Sequence, residues 1–198
     1  NTAFGGSVAV GDVNGDGYAD VVAGAYVYNT SAGRVYVFHS TGSQGVTATD
    51  AASASARITG EATNNSFGRS VATGDMNGDG YADLVAGAQG YNTNAGRVYV
   101  FHSAGSPGVT ATAAASATTR IAGETTSNSF GRWVATGDVN GDGYADLVAG
   151  AEGYNTNTGR VYVFHSAGSP GVTTTMAASA RTVITGEATG SFFGSSVA

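Results

Sequence analysis

Four oxygen-bearing side chains recur in one spacing three times along this chain. Asp12, Asn14, Asp16 and Asp20 occupy the first, third, fifth and ninth positions of a nine-residue stretch. Asp75, Asn77, Asp79 and Asp83 repeat it, and so do Asp138, Asn140, Asp142 and Asp146, with the same interval between successive copies. Glycines at the fourth and sixth positions let the backbone turn sharply and take positive φ. A short segment that curls oxygens around a point suits a hard cation, and Ca²⁺ takes about six to eight oxygen ligands in a flexible cage. The main-chain carbonyl oxygens of Tyr18, Tyr81 and Tyr144 supply a fifth donor in each copy. The reading is three Ca²⁺ sites, one per copy. An EF-hand loop starts the same way but ends in a bidentate Glu at position 12. Here Ala23, Ala86 and Ala149 stand there.

The flanks of each loop are strands. Ser7-Val8-Ala9-Val10-Gly11 precedes the first loop and Val21-Val22-Ala23-Gly24-Ala25 follows it, short apolar runs without helical period. A polar turn follows, Gln89 to Gly96 in the second copy. A third strand, Arg97-Val98-Tyr99-Val100-Phe101-His102, is apolar on both faces, so it lies in a sheet covered by layers on each side. The Ser/Ala/Thr-rich stretch from Val109 to Thr119 is a loose connection, and a fourth strand covers Arg120 to Glu124. Phe-Gly opens each period at Phe4, Phe67, Phe130 and Phe193. The repeats are 4–66, 67–129 and 130–192, with 193–198 the start of a fourth, and 1–198 reads as one domain. Four short antiparallel strands per period describe a propeller blade. The fold class is all-β: a β-propeller unit of three four-stranded antiparallel blades, equal in length, plus one extra strand.

Composition narrows the function. The net charge is −6, and nine of the ten Asp residues lie in the three loops, so the acidity belongs to the candidate metal sites. Lys is absent and the eight Arg are dispersed. That leaves no basic face for nucleic acid and no polybasic membrane patch. There is no Cys, hence no disulfide framework. No run spans a bilayer, and no signal peptide is present in this chain. His39, His102 and His165 end equivalent third strands on separate blades, which makes them structural rather than a shared catalytic or zinc centre. The residues that break the repeat symmetry include Tyr26, Asp50 and Trp133, and they form no catalytic constellation.

Phe67-Gly68, the loop Asp75 to Asp83, the closing Gly87-Ala88 and the strand Gly96-Arg97-Val98-Tyr99-Val100-Phe101 together resemble the FG-GAP repeat, the blade of the integrin α-subunit propeller. So do Thr59-Gly60-Glu61 and Thr185-Gly186-Glu187, with Ala122-Gly123-Glu124 as a small departure. Tyr26, Gln89 and Glu152 replace the Pro of the family's Gly-Ala-Pro. The resemblance implies a propeller with one Ca²⁺ per blade and extracellular or cell-surface use in adhesion. It gives the expected function: a calcium-stabilised extracellular binding module for protein or glycan partners, not an enzyme, with no catalytic residues. The turns Tyr28-Asn29-Thr30, Tyr91-Asn92-Thr93 and Tyr154-Asn155-Thr156 have a composition suited to recognition. The alternatives are a consensus-like repeat scaffold that assembles into a closed ring, and an accessory domain of a secreted hydrolase. Three blades cannot close a ring alone. The chain therefore either self-associates, two copies giving six blades, or continues into further blades.

Overall fold

The computed structural model describes residues 2–198. It contains twelve strands in three four-stranded antiparallel sheets, each arranged in chain order. The first sheet holds β1 (Phe4–Gly11), β2 (Asp20–Ala25), β3 (Arg34–Phe38) and β4 (Ala56–Thr59). The second holds β5 (Phe67–Gly74), β6 (Asp83–Ala88), β7 (Arg97–Phe101) and β8 (Thr119–Ala122). The third holds β9 (Val134–Gly137), β10 (Asp146–Ala151), β11 (Arg160–Phe164) and β12 (Thr182–Thr185). These sheets are the three expected blades.

Alternation within each sheet builds two unlike faces. In β7, Val98 and Val100 point one way and Tyr99 and Phe101 the other, and all four are buried. The Val face of the first blade, with Val35, Val37 and Ile58, packs on the aromatic face of the second, with Phe67, Leu84, Tyr99 and Phe101. The Val98, Val100 and Ile121 face of the second packs in the same way on Phe130, Leu147, Tyr162 and Phe164 of the third. Burial on both sides of each middle strand is why these strands read as continuous apolar runs. Within each aromatic face the Phe that opens the repeat meets the Tyr edge-on: Phe67 and Phe130 lie 5.2 and 5.3 Å from Tyr99 and Tyr162.

The repeat boundary is also a backbone junction. Phe67 pairs with Ala88 of its own blade and forms a parallel bridge to Gly33 of the blade before. Phe130 bridges to Gly96 in the same way. A side chain at Gly33 would place its Cβ 2.0 Å from the Phe67 carbonyl oxygen, so only Gly allows this approach.

Several boundaries differ from the sequence reading. The first strands of blades one and two start at Phe4 and Phe67, earlier than Ser7 and Ser70, because a bulge keeps the Phe-Gly segment paired. In the third blade the strand starts at Val134, one residue later than Trp133. The third strands end at Phe101 rather than His102, and the fourth covers Thr119–Ala122 rather than Arg120–Glu124. The expected polar turn contains a short helical turn, Tyr91–Asn94, in which Asn92 and Thr93 take left-handed φ of 47° and 55°. The loose connection holds one 3₁₀ turn, Ala114–Ser116. Residues 193–198 do not form the extra strand. Phe193 makes a single bridge to Gly159, since a first strand pairs with the second strand of its own repeat.

Candidate metal centre

Each acidic loop joins the first and second strands of a blade. Antiparallel pairing brings its two ends together, with Gly11 opposite Asp20 and Gly74 opposite Asp83. The closing Asp of each loop is fully buried, while Asp16 and Asp79 are exposed at the tip. The buried carboxylate is held by backbone N–H groups. Val13 and Asn14 donate to Asp20 Oδ2 at 3.0 and 3.2 Å, and Ser40 donates to Asp20 Oδ1 at 2.7 Å. Asp83 accepts from Met76 and Ser103, and Asp146 from Val139 and Ser166. The ninth position therefore ties the loop to the end of the third strand.

The first position organises the tip. Asp12 Oδ1 accepts from Gly15 and Asp16, and Oδ2 from Gly17. Asn14 Oδ1 accepts from the Asp16 N–H, and Asp16 Oδ1 from the Tyr18 N–H. Asn14 Nδ2 donates to Asp16 Oδ2 at 3.1 Å. The other two copies repeat these bonds, with Asp75, Asn77 and Asp79 in one and Asp138, Asn140 and Asp142 in the other. Burial pushes the Asp83 carboxyl up to about 7, and the charges of Asp79 and Asp75 add to the rise. Hydrogen bonds led by the Gly143 N–H hold Asp138 below the usual carboxylate range.

The donor set fits a hard cation. Every side chain at the four positions offers oxygen, and most of these oxygens accept one N–H, which leaves a lone pair. Like charges crowd the loop, and a cation would offset the cost that raises Asp83. Asp12, Asn14, Asp16 and Asp20, with the Tyr18 carbonyl, would hold it, and so would the matching residues of the later copies. The carboxylates here turn onto the loop's own amides. Among the described residues no group of three or more His, Cys, Asp or Glu side chains is drawn together as a metal cluster.

The Tyr side chains have a second role that ligand spacing did not reveal. The Tyr81 ring lies over Gly15 of the preceding loop, where an added Cβ would fall 2.2 Å from it, and Tyr144 covers Gly78 equally closely. Ala82 N–H donates to the Asp12 carbonyl at 2.9 Å and Ala145 N–H to the Asp75 carbonyl at 2.8 Å. Ser103 Oγ bonds the Val13 carbonyl and Ser166 Oγ the Met76 carbonyl. Successive loops are thus clamped into one rim. The return of Tyr and Ser at matching positions of every repeat was the available signal.

The histidines and the symmetry-breaking residues also find places. His39 and His102 pack against Gly108 and Gly171 of the following blade, and burial lowers the pKa of His102. Tyr26 and Trp133, far apart in the chain, both flank Arg69. Its guanidinium carbon lies 4.6 Å from the Tyr26 ring and 5.7 Å from the Trp133 ring. Asp50 caps a 3₁₀ turn by accepting from Ser53. The Glu of the Thr-Gly-Glu motif reaches the next blade: Glu61 pairs with Arg97 at 3.3 Å and Glu124 with Arg160 at 3.0 Å.

Three face-stacked antiparallel sheets, each with an acidic loop between its first two strands, define an array of propeller-type blades. The family model for the FG-GAP repeat matches residues 4–38, 67–101 and 130–164. The chain belongs to the FG-GAP repeat family. It is 31% identical to integrin alpha-5 of Xenopus laevis over 85% of its own length and 15% of that protein. It is 36% identical to human integrin alpha-IIb over 77% of its length and 15% of that protein. It is 40% identical to Drosophila melanogaster integrin alpha-PS2 over 57% of its length and 8% of that protein. The chain therefore spans a small part of these relatives. Among the described residues no helix is long and apolar enough to cross a membrane.

Proposed function

We propose that the chain is a calcium-stabilised, extracellular β-propeller module that binds protein or glycan partners and performs no catalysis. The acidic loop carries this reading, because three copies keep the same donors and the same hydrogen bonds. Its likeness to integrin α chains supports adhesion-type use outside the cell. Ca²⁺ supplies charge compensation, and the residues do the rest: Asp20, Asp83 and Asp146 anchor the loops, and the clamped rim fixes neighbouring blades.

The recognition surface lies at the other end of the sheets, on the turns between second and third strands. The Tyr rings there are engaged by Arg of the same blade: Arg97 and Arg160 lie 3.5 Å from the centroids of Tyr91 and Tyr154. Exposed Asn29, Thr30, Asn92, Thr93, Asn155 and Thr156 remain free to meet a ligand. Turns of adjacent blades are joined through the segment between them: Asn64 N–H donates to the Thr30 carbonyl and Gly90 N–H to the Asn65 carbonyl, and Ser127 and Gly153 repeat these bonds with Thr93 and Asn128. The result is a repeated polar ridge, suited to a repetitive partner such as a glycan. The test is binding to immobilised glycans and extracellular matrix proteins in millimolar Ca²⁺. The triple variant Asn29→Gly, Asn92→Gly, Asn155→Gly keeps the left-handed backbone, and it should lose binding with an unchanged melting curve. Binding that survives it would refute this surface, and a full panel without a binder would favour the scaffold reading.

A further inference from the structure

The second blade departs from its neighbours on its outer strands, and the departure opens a polar cavity. In the first and third blades the Arg that opens the third strand has its Nε–H satisfied. Arg34 donates to the Thr59 hydroxyl at 3.1 Å and Arg160 to the Thr185 hydroxyl at 3.0 Å. Ala122 stands at that position in the second blade, and there the Nε of Arg97 is buried with no hydrogen-bond partner among the described residues. A buried donor without an acceptor is costly, and folded proteins keep few of them. A second change adds charge. Arg120 stands where the third blade has Val183. Arg97 and Arg120 share the carboxylate of Glu61, at 3.3 and 3.7 Å. The third blade instead matches one guanidinium, Arg160, to Glu124, whose Oε1 also accepts from the Tyr162 hydroxyl. The second blade thus keeps a surplus positive charge in a chain of net charge −6. These groups face a cavity of about 660 Å³, within the size range of small-ligand sites. All three blades line it: Glu61 from the first, Ala122 and the two arginines from the second, and Thr173, Thr175 and Met176 from the third. Ala122 N–H donates to the Thr175 carbonyl and Met176 bridges Ala122, which fixes the third-blade segment along the cavity.

We propose that this cavity binds the carboxylate of an acidic sugar, a uronic acid unit of a glycan. One carboxylate oxygen accepts from Arg97 Nε, in the volume that the Thr hydroxyl takes in the other two blades. The other oxygen pairs with Arg120, whose side chain is 47% exposed and turns from Glu61 to the ligand. The ligand supplies both things the second blade lacks, an acceptor for a buried N–H and a negative charge. A planar carboxylate suits a guanidinium, and charge-assisted bonds of this kind are about twice as strong as neutral ones. The far wall suits a sugar ring. Thr173 and Thr175 are exposed and offer hydroxyls to those of the sugar, and Met176, also exposed, offers apolar contact to its C–H face. The sugar rests on the glycan-binding reading above, whereas the carboxylate rests on the cavity itself. The site also accounts for the one departure in the Thr-Gly-Glu motif, Ala122-Gly123-Glu124, since the missing hydroxyl is what frees the Arg97 donor.

The test is calorimetric titration of this chain, in millimolar Ca²⁺, with a glucuronate-containing tetrasaccharide, its carboxyl-reduced neutral counterpart and sodium acetate. The expected result is binding of the acidic tetrasaccharide, about tenfold or more tighter than either control. Ala122→Thr restores the hydroxyl of the other blades and should abolish binding. Arg120→Val should weaken it about tenfold or more. Both replacements already stand at the matching positions of the third blade, Thr185 and Val183, so both variants should melt as the parent does. No binding of the tetrasaccharide, or binding that both variants leave intact, would overturn the proposal. Equal binding of the neutral counterpart would overturn the carboxylate, and equal binding of acetate would overturn the sugar. The triple Asn→Gly turn variant should bind the acidic tetrasaccharide as the parent does. A parent chain that binds immobilised glycans through its turns but ignores the tetrasaccharide would refute the cavity alone.

Discussion

A buried carboxylate is tolerated only when its oxygens are used, and Asp20, Asp83 and Asp146 use theirs on backbone amides. Asp83→Ala should therefore cost about 3 kcal/mol even in chelator, since it strands the buried Met76 and Ser103 N–H groups. Asp79→Ala, at the exposed tip, should cost under about 0.5 kcal/mol in chelator and about 1.5 kcal/mol in Ca²⁺, read by urea unfolding in each buffer. Equal costs in both buffers would separate Asp79 from the metal. A pair of glycines isolates the Tyr clamp. Gly141→Ala meets only the backbone strain of φ +79°, about 1 kcal/mol, whereas Gly78→Ala also drives into Tyr144 and should lose about 1–3 kcal/mol more. The acidic loop was legible because the spacing of its Asp, Asn and Gly residues is a chain-local property. The clamps were not, because a Tyr that reaches back a whole repeat leaves no local pattern.

At the level of elements, the strand–loop–strand unit was readable from its short apolar runs and its Asn/Asp/Gly punctuation. The errors fall where pairing across blades decides the boundary. Phe4-Gly5 and Phe67-Gly68 look like turn residues, yet a bulge and a parallel bridge hold them in the sheet. The Tyr-Asn-Thr turns lie between second and third strands as their composition suggests. Tyr28, Tyr91 and Tyr154, however, stack under Arg34, Arg97 and Arg160, and that removes the rings from the proposed recognition surface. The cluster of Tyr26, Arg69 and Trp133 needs three blades side by side before it exists. The joints give a sharp contrast for mutation. Phe130→Ala empties a site sealed by two blades and should cost about 3–5 kcal/mol. Phe4→Ala, half exposed, should cost less than half as much, and thermal unfolding of the two variants checks the difference.

Across the whole molecule, three near-identical blades make stability a sum of blade and joint terms. Each acidic loop sits on a rim clamped to its neighbours, so a cation held by one loop would be expected to stiffen the loops beside it. Three sites near the tight end of extracellular calcium affinities, about 10⁻⁴ M, would each add about 1.5 kcal/mol in millimolar Ca²⁺. The constant repeat period made the blade count legible. The proposed recognition turns carry chemistry that suits several partners, so the sequence bounds the proposed surface more closely than any ligand for it. The most direct measurement is calorimetric unfolding in millimolar Ca²⁺, in excess Mg²⁺ and in EDTA. The calcium-loop assignment predicts a melting temperature lowered by several degrees in EDTA, restored by Ca²⁺, and lowered in a triple Asp16→Ala, Asp79→Ala, Asp142→Ala variant whatever the buffer. Identical melting curves with and without Ca²⁺ would contradict the assignment of the acidic loops.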